Sequence, residues 1–151
     1  MATYAEGDWF AVPLRERGFA AGVVARANPR GVLLGYFFGP RREHIPTIDE
    51  LDRLTPEAAI WVSRFGDLHL LEEKWPVIGK LAKWDRDAWP TPTFARHEEL
   101  TGRTYEVVYA DDDPNQLLTE RLISRDFAQG LPEDGMAGAG FVELRLTNLL
   151  G

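Results

Sequence analysis

Alternation of apolar and polar positions dominates the first 40 residues of the chain. Residues 8–14 put Phe10 on one face of an extended segment and Trp9 on the other. Residues 19–28 and 32–38 repeat this period of two with β-branched and aromatic side chains, which is typical of strands. Short turns are predicted between them, at Gly18 and at Asn28-Pro29-Arg30-Gly31. The pattern predicts a three-stranded antiparallel meander.

The middle of the chain predicts a short helix and further strands. Thr47 and Glu50 have the spacing of a capping box, in which each side chain satisfies a backbone N–H of the other residue. A helix is therefore expected just after Thr47. Residues 59–65, 75–79 and 105–109 are short apolar or alternating runs that predict strands.

The last 40 residues predict helices. Asp113, Pro114 and Gln116 match the N-cap, first and third positions of a helix, which would be lined by Leu117, Leu118 and Leu122. Residues 141–150 fit either periodicity, and a helix is preferred. Together these elements predict a single domain over residues 1–151, of class α+β. Its N-terminal meander would curl into a partial SH3-like barrel beside one or two short helices.

Composition narrows the class of protein. The chain has no cysteine, which excludes disulfides and thiolate metal sites. The N-terminus lacks the basic and apolar regions of a signal peptide. No apolar run approaches the roughly 20 residues of a membrane span. These features predict a cytoplasmic protein without a membrane partner.

The charge is distributed unevenly along the chain. Residues 1–46 carry 6 basic and 4 acidic side chains, whereas residues 47–151 carry 11 basic and 20 acidic ones. A negative field over the C-terminal two thirds repels nucleic acid and attracts a basic partner. The alternative is that acidity serves solubility alone.

Two clusters are candidates for partner binding. Asp111, Asp112 and Asp113 form either a solvated turn that caps the next helix or an acidic hot spot for a basic partner. They lack the glycine and glutamate that a calcium loop requires. Trp84 and Trp89 lie in a polar loop, where large aromatics act as interface anchors or as a lid over a small β core.

Catalytic patterns are missing from the sequence. His44, His69 and His97 lack the spacing of a metal pair, so neither a metal site nor a cofactor is predicted. No nucleophile motif or phosphate-binding loop occurs. The residues therefore predict a binding protein rather than an enzyme.

Several segments resemble the immunity protein 26 family: GDWFAVPL at residues 7–14, residues 19–24, WPVIG at residues 75–79, and residues 138–146. The resemblance implies a cytoplasmic protein that binds and neutralises a cognate toxin of a bacterial polymorphic toxin system. Family naming also includes a small phosphotriesterase, so a metal-dependent phosphotriester hydrolase is one alternative. A non-catalytic module that binds a ligand or protein through an apolar pocket at Trp9, Phe37 or Trp61 is another.

Overall fold

The computed structural model describes residues 4–151 of the protein. Nine strands form two sheets: β1 (Asp8–Pro13), β2 (Phe19–Ala27), β3 (Val32–Arg42), β4 (Trp61–Gly66), β5 (Val77–Lys80), β6 (Phe94–His97), β7 (Thr104–Ala110), β8 (Asp113–Ile123) and β9 (Met136–Ala137). Four α-helical segments accompany them: α1 (Ile48–Leu51), α2 (Leu68–Leu71), α3 (Arg125–Ala128) and α4 (Ala139–Leu150). The first three of these are single turns, so most of the chain's regular structure is strand.

The larger sheet confirms the predicted class and the N-terminal meander. Its strand order is β5-β1-β2-β3-β4-β9, with antiparallel pairing from β5 through β4 and a short parallel pair between β4 and β9. The smaller sheet is β6-β7-β8, antiparallel throughout. Within residues 4–151 neither sheet closes on itself, because β5 and β9 remain separate edges of the larger sheet.

Both faces of the larger sheet are buried, which explains why its strands are apolar on both sides. One face packs under α4 and forms a cluster that includes Phe10, Val12, Phe37, Phe65, Trp75, Val142 and Leu146. The opposite face packs against the smaller sheet in a cluster that includes Trp9, Val23, Tyr36, Phe38, Trp89, Phe94, Val107 and Tyr109. Alternate side chains of each strand therefore enter two different cores. The larger sheet is the middle layer between α4 and the smaller sheet.

Two glycines make room for aromatic rings in the core under α4. A Cβ at Gly22 would lie 2.6 Å from Cζ of Phe10, and one at Gly35 would lie 2.6 Å from Cε1 of Phe65. No real Cβ approaches a carbon that closely, so a ring can lie flat on each strand only because the side chain is absent. The glycines are thus a packing requirement of β2 and β3.

The predicted helix after Asp113 is wrong, because residues 113–123 form strand β8. The Asp113 carboxylate does accept a local backbone N–H, from Asn115 at 2.9 Å, but it also accepts the side-chain amide of Asn28. This tertiary contact and the open edge of β7 hold the chain extended. Helical spacing of the leucines is overridden by strand pairing.

Other elements follow the predictions more closely. The helix after Thr47 forms, and the Glu50 carboxylate accepts the Thr47 backbone N–H at 3.3 Å. Residues 141–150 are helical, as preferred. The segment before β6 is more ordered than a loop, since residues 86–88 form a 3₁₀ turn capped by the Asp85 carboxylate.

Candidate partner-binding surface

A buried arginine joins the two segments that the sequence singles out. Arg26 lies at the end of β2 and is only 2% exposed. Its guanidinium donates to the backbone carbonyl and the carboxylate of Asp111, at 3.0 and 3.1 Å. It also donates to the carbonyls of Trp89 at 3.1 Å and Arg86 at 3.2 Å. One side chain therefore fixes the β7–β8 turn against the 86–90 segment.

A second, more exposed arginine continues the network to the surface. Arg86 contacts the carboxylates of Asp112 at 3.1 Å and Glu6 at 3.2 Å. The hydrogen bond with Asp112 raises the pKa of Arg86 further, so this guanidinium is permanently charged. The Asp112 side chain is 89% exposed, which leaves most of its carboxylate open to a partner.

The two flanking aspartates are held by neighbouring side chains. Burial raises the pKa of Asp111, but hydrogen bonds from Thr91 and Arg26 outweigh it and leave the pKa below its ordinary value. The hydrogen bond from Asn28 lowers the pKa of Asp113. Both carboxylates are therefore anionic at neutral pH and serve to anchor the turn.

The two tryptophans differ in how far they are buried. Trp89 is 6% exposed and packs edge-to-face against Trp9 and Tyr36, so it belongs to the core. Trp84 is partly buried, stacks on Trp89 at 6.1 Å, and donates its indole N–H to Glu6 at 3.4 Å. Trp84 thus supplies the aromatic part of this surface, while Trp89 supports it from below.

The structure brings the five sequence-predicted residues together around Arg26, with Trp89 in the core and four at the surface above it: Trp84, Asp111, Asp112 and Asp113. We call this group the Arg26 surface. The sequence-based prediction did not include Arg26 or Arg86, which hold it together. A signal was available, since Arg26 is the one charged residue of β2, in a run that is otherwise Gly, Ala, Val and Phe. A charge in such a strand points to a buried partner.

The histidines of the described residues form no metal-binding group with acidic side chains. Over residues 4–151, no three His, Asp or Glu side chains come close enough together to hold a metal ion. His69 lies beside Glu72 and Glu143, at 3.7 and 3.9 Å, and the His97 ring bonds the Thr104 hydroxyl at 3.0 Å.

A groove on another part of the protein involves Trp61. It has a volume of about 430 Å³ and lies between β4, residues 133–138 and the start of α4. Phe141 packs edge-on to Trp61 at 6.2 Å, and Met136 lines the same groove. Trp9 and Phe37 are fully buried and line no opening, so only Trp61 matches the apolar pocket considered from the sequence.

No helix in the described part of the chain has the length and apolarity needed to cross a bilayer.

Comparison with known proteins identifies a family. The family model described as Immunity protein 26 matches residues 5–106, which include Arg26, Trp84 and Trp89. No curated protein and no solved structure matches the chain. On the strength of a match over two thirds of its length, the chain belongs to the immunity protein 26 family.

Proposed function

We propose that this protein acts in the cytoplasm by binding a cognate toxin and neutralising it through the Arg26 surface. Family membership supports an immunity function. The observation that carries the choice of surface is the convergence of the Asp111–Asp113 turn and the Trp84–Trp89 segment on Arg26. Tryptophan is enriched among the residues that carry most of the binding energy at interfaces.

Electrostatics support a basic partner. Asp85, Asp87 and Asp112 are exposed on the two segments of the Arg26 surface, and Arg86 pairs with Asp112 at 3.1 Å. The whole chain carries a net charge of −7. A basic toxin would be steered to this surface during encounter, and Trp84 would then be buried in the complex. The internal pairs of Asp111 and Asp113 keep the turn rigid, which lowers the entropy cost of binding.

The test uses the purified product of the adjacent gene, carrying a substitution that removes its toxicity. We expect Asp112→Lys to weaken the complex at least tenfold at low salt, with the difference shrinking as salt rises. Glu99→Lys is the matched control, because it makes the same change in charge in the exposed β6–β7 turn, at the opposite end of the smaller sheet. Equal effects of the two substitutions would show that only net charge matters and that this surface is not the site.

A second candidate is a module that binds through the Trp61 groove, favoured by its aromatic side chains beside a few charged ones, Glu133, Asp134 and Arg145. Trp61→Ala distinguishes the two in a rescue assay, in which cells co-express the toxic neighbour and each variant. Loss of rescue with Trp61→Ala but not with Asp112→Lys would favour the groove. The opposite pattern would favour the Arg26 surface.

A further inference from the structure

Strand β8 is a long, uncovered edge of the smaller sheet. It pairs with β7 on one side, and the strand order β6-β7-β8 leaves its other side free. All residues from Asn115 to Leu122 are exposed. Across residues 4–151, no turn, loop or side chain accepts a backbone N–H of residues 116–123. Alternate N–H and C=O groups therefore point outward without a protein partner.

The other sheet edges are short or covered. The β6 edge is bridged by the 132–134 segment, where the Ala95 N–H donates to the Pro132 carbonyl and the Asp134 N–H donates to the Ala95 carbonyl, both at 2.8 Å. The edges of the larger sheet are β5, with four residues, and β9, with two. By contrast β8 has eleven residues. Among residues 4–151, β8 is therefore the longest sheet edge without a covering segment.

The side chains of β8 do not discourage pairing. Leu117, Leu118 and Leu122 are 51–58% exposed. The two charged residues in the second half of β8 are paired within the sheet, Glu120 with Arg96 at 2.8 Å and Arg121 with Glu106 at 2.7 Å. The only proline of the strand is at its start, where it blocks no central position. Natural edges are usually protected by charges, prolines or bulges; β8 is bulged in its first half, but residues 119–123 pair regularly with β7 and contain no proline.

We infer that β8 accepts an extended segment of the cognate toxin as a fourth strand of the smaller sheet. This inference rests on the proposed function and describes how the toxin would be held. Backbone hydrogen bonds along residues 119–123, where β8 pairs regularly with β7, would supply affinity, and apolar side chains of the toxin strand would lie beside Leu122. Because β8 starts at the Asp111–Asp113 turn, the toxin strand is expected to carry a basic residue at that end.

A toxin strand fits this edge better than a second copy of the chain does. In an antiparallel pair related by a two-fold axis, the residue at the centre lies opposite itself. Centring the pair on the middle of the regular part of β8 sets either Glu120 or Arg121 against its own copy, and like charges directly opposite are destabilising. The net charge of −7 adds repulsion between two copies.

The experiment measures amide hydrogen exchange of the full chain, alone and with the detoxified product of the adjacent gene. We expect amides within residues 119–123 to exchange at least tenfold more slowly in the complex. In parallel, Thr119→Pro and Glu120→Pro are each tested for folding and affinity. Adjacent residues of a strand point their N–H groups to opposite sides. One of the two prolines therefore removes a hydrogen bond to β7, and the other removes only an N–H that points away from the sheet. The variant that keeps its thermal midpoint should bind at least tenfold more weakly.

The outcomes separate the two proposals. A complex that forms without slower exchange at residues 119–123, or that tolerates the folded proline variant, overturns the β8 inference and leaves the proposed function standing. If these amides are protected in the protein alone, and the protein has twice the 17.1 kDa mass of one chain, a second copy occupies the edge. That result would also overturn the β8 inference. With no complex and no rescue by the intact protein, both proposals fail.

Discussion

Arg26→Met is the substitution that tests the central network most directly. The guanidinium makes hydrogen bonds to three chain segments: its own strand through the Ala25 carbonyl, the 86–90 segment, and the β7–β8 turn. Methionine retains much of the aliphatic volume but provides no donor. The carbonyls of Arg86 and Trp89 and the carboxylate of Asp111 would each lose this partner.

The expected loss of stability follows from burial. Removing one member of a buried ion pair costs about 3–5 kcal/mol. The Asp111 side chain is 56% exposed, so water replaces part of its lost interaction, and the free energy of unfolding should fall by about 3 kcal/mol. For a chain of this length such a loss lowers the Tm by about 6–12 °C.

Urea denaturation followed by tryptophan fluorescence measures this effect, because Trp89 lies at the network. Arg86→Met is the control, since its side chain is 35% exposed and its ion pairs lie at the surface. We expect the control to cost less than about 1 kcal/mol. If Arg26→Met costs no more than Arg86→Met, the buried guanidinium does not hold the two segments and the reasoning is refuted.

The remaining predictions concern packing and acid stability. Gly22→Ala puts a Cβ 2.6 Å from the Phe10 ring, and urea denaturation should show a loss of about 1–3 kcal/mol. Gly66→Ala meets no atom within 4 Å and should be neutral or stabilise by up to about 1 kcal/mol; equal losses would contradict the packing argument. The pKa values of Asp111 and Asp113 are lowered by folding, so their stabilisation is complete above the unfolded pKa of about 3.9 and disappears as pH falls through the folded values. Asp111→Asn should therefore flatten the decline of Tm below about pH 4, and an unchanged slope would count against this role.

Much of the larger sheet could be predicted from the sequence. The period of two in residues 8–38 assigns Phe10 and Trp9 to opposite faces, and the two side chains do enter different cores. The reason is that strand periodicity is a local property of the backbone. The capping-box spacing at Thr47 also acts within a few residues, and the short helix after it was predicted correctly.

Long-range partners explain what the sequence did not predict. Residues 113–123 carry helix-start signals and helically spaced leucines, but pairing with β7 and a side-chain hydrogen bond from Asn28, which is 85 residues away from Asp113, keep them extended. Likewise, the carboxylate that pairs with Arg26 comes from 85 residues further along the chain. Nothing in the sequence around Arg26 identifies Asp111 among the 24 acidic residues. The candidate surface could be named only in part, because its organising contacts are tertiary.

The packing of α4 on the sheet has a consequence for the chain during its synthesis. Val142 and Leu146 are fully buried against the same apolar face to which Phe10 belongs. At translation rates of about 5–20 residues per second, residue 146 is added roughly 7–27 s after residue 10. During that interval the apolar side chains of the growing strands have no helical cover, so the chain is open to aggregation or chaperone binding. A stop codon placed before residue 142 would make that exposure permanent.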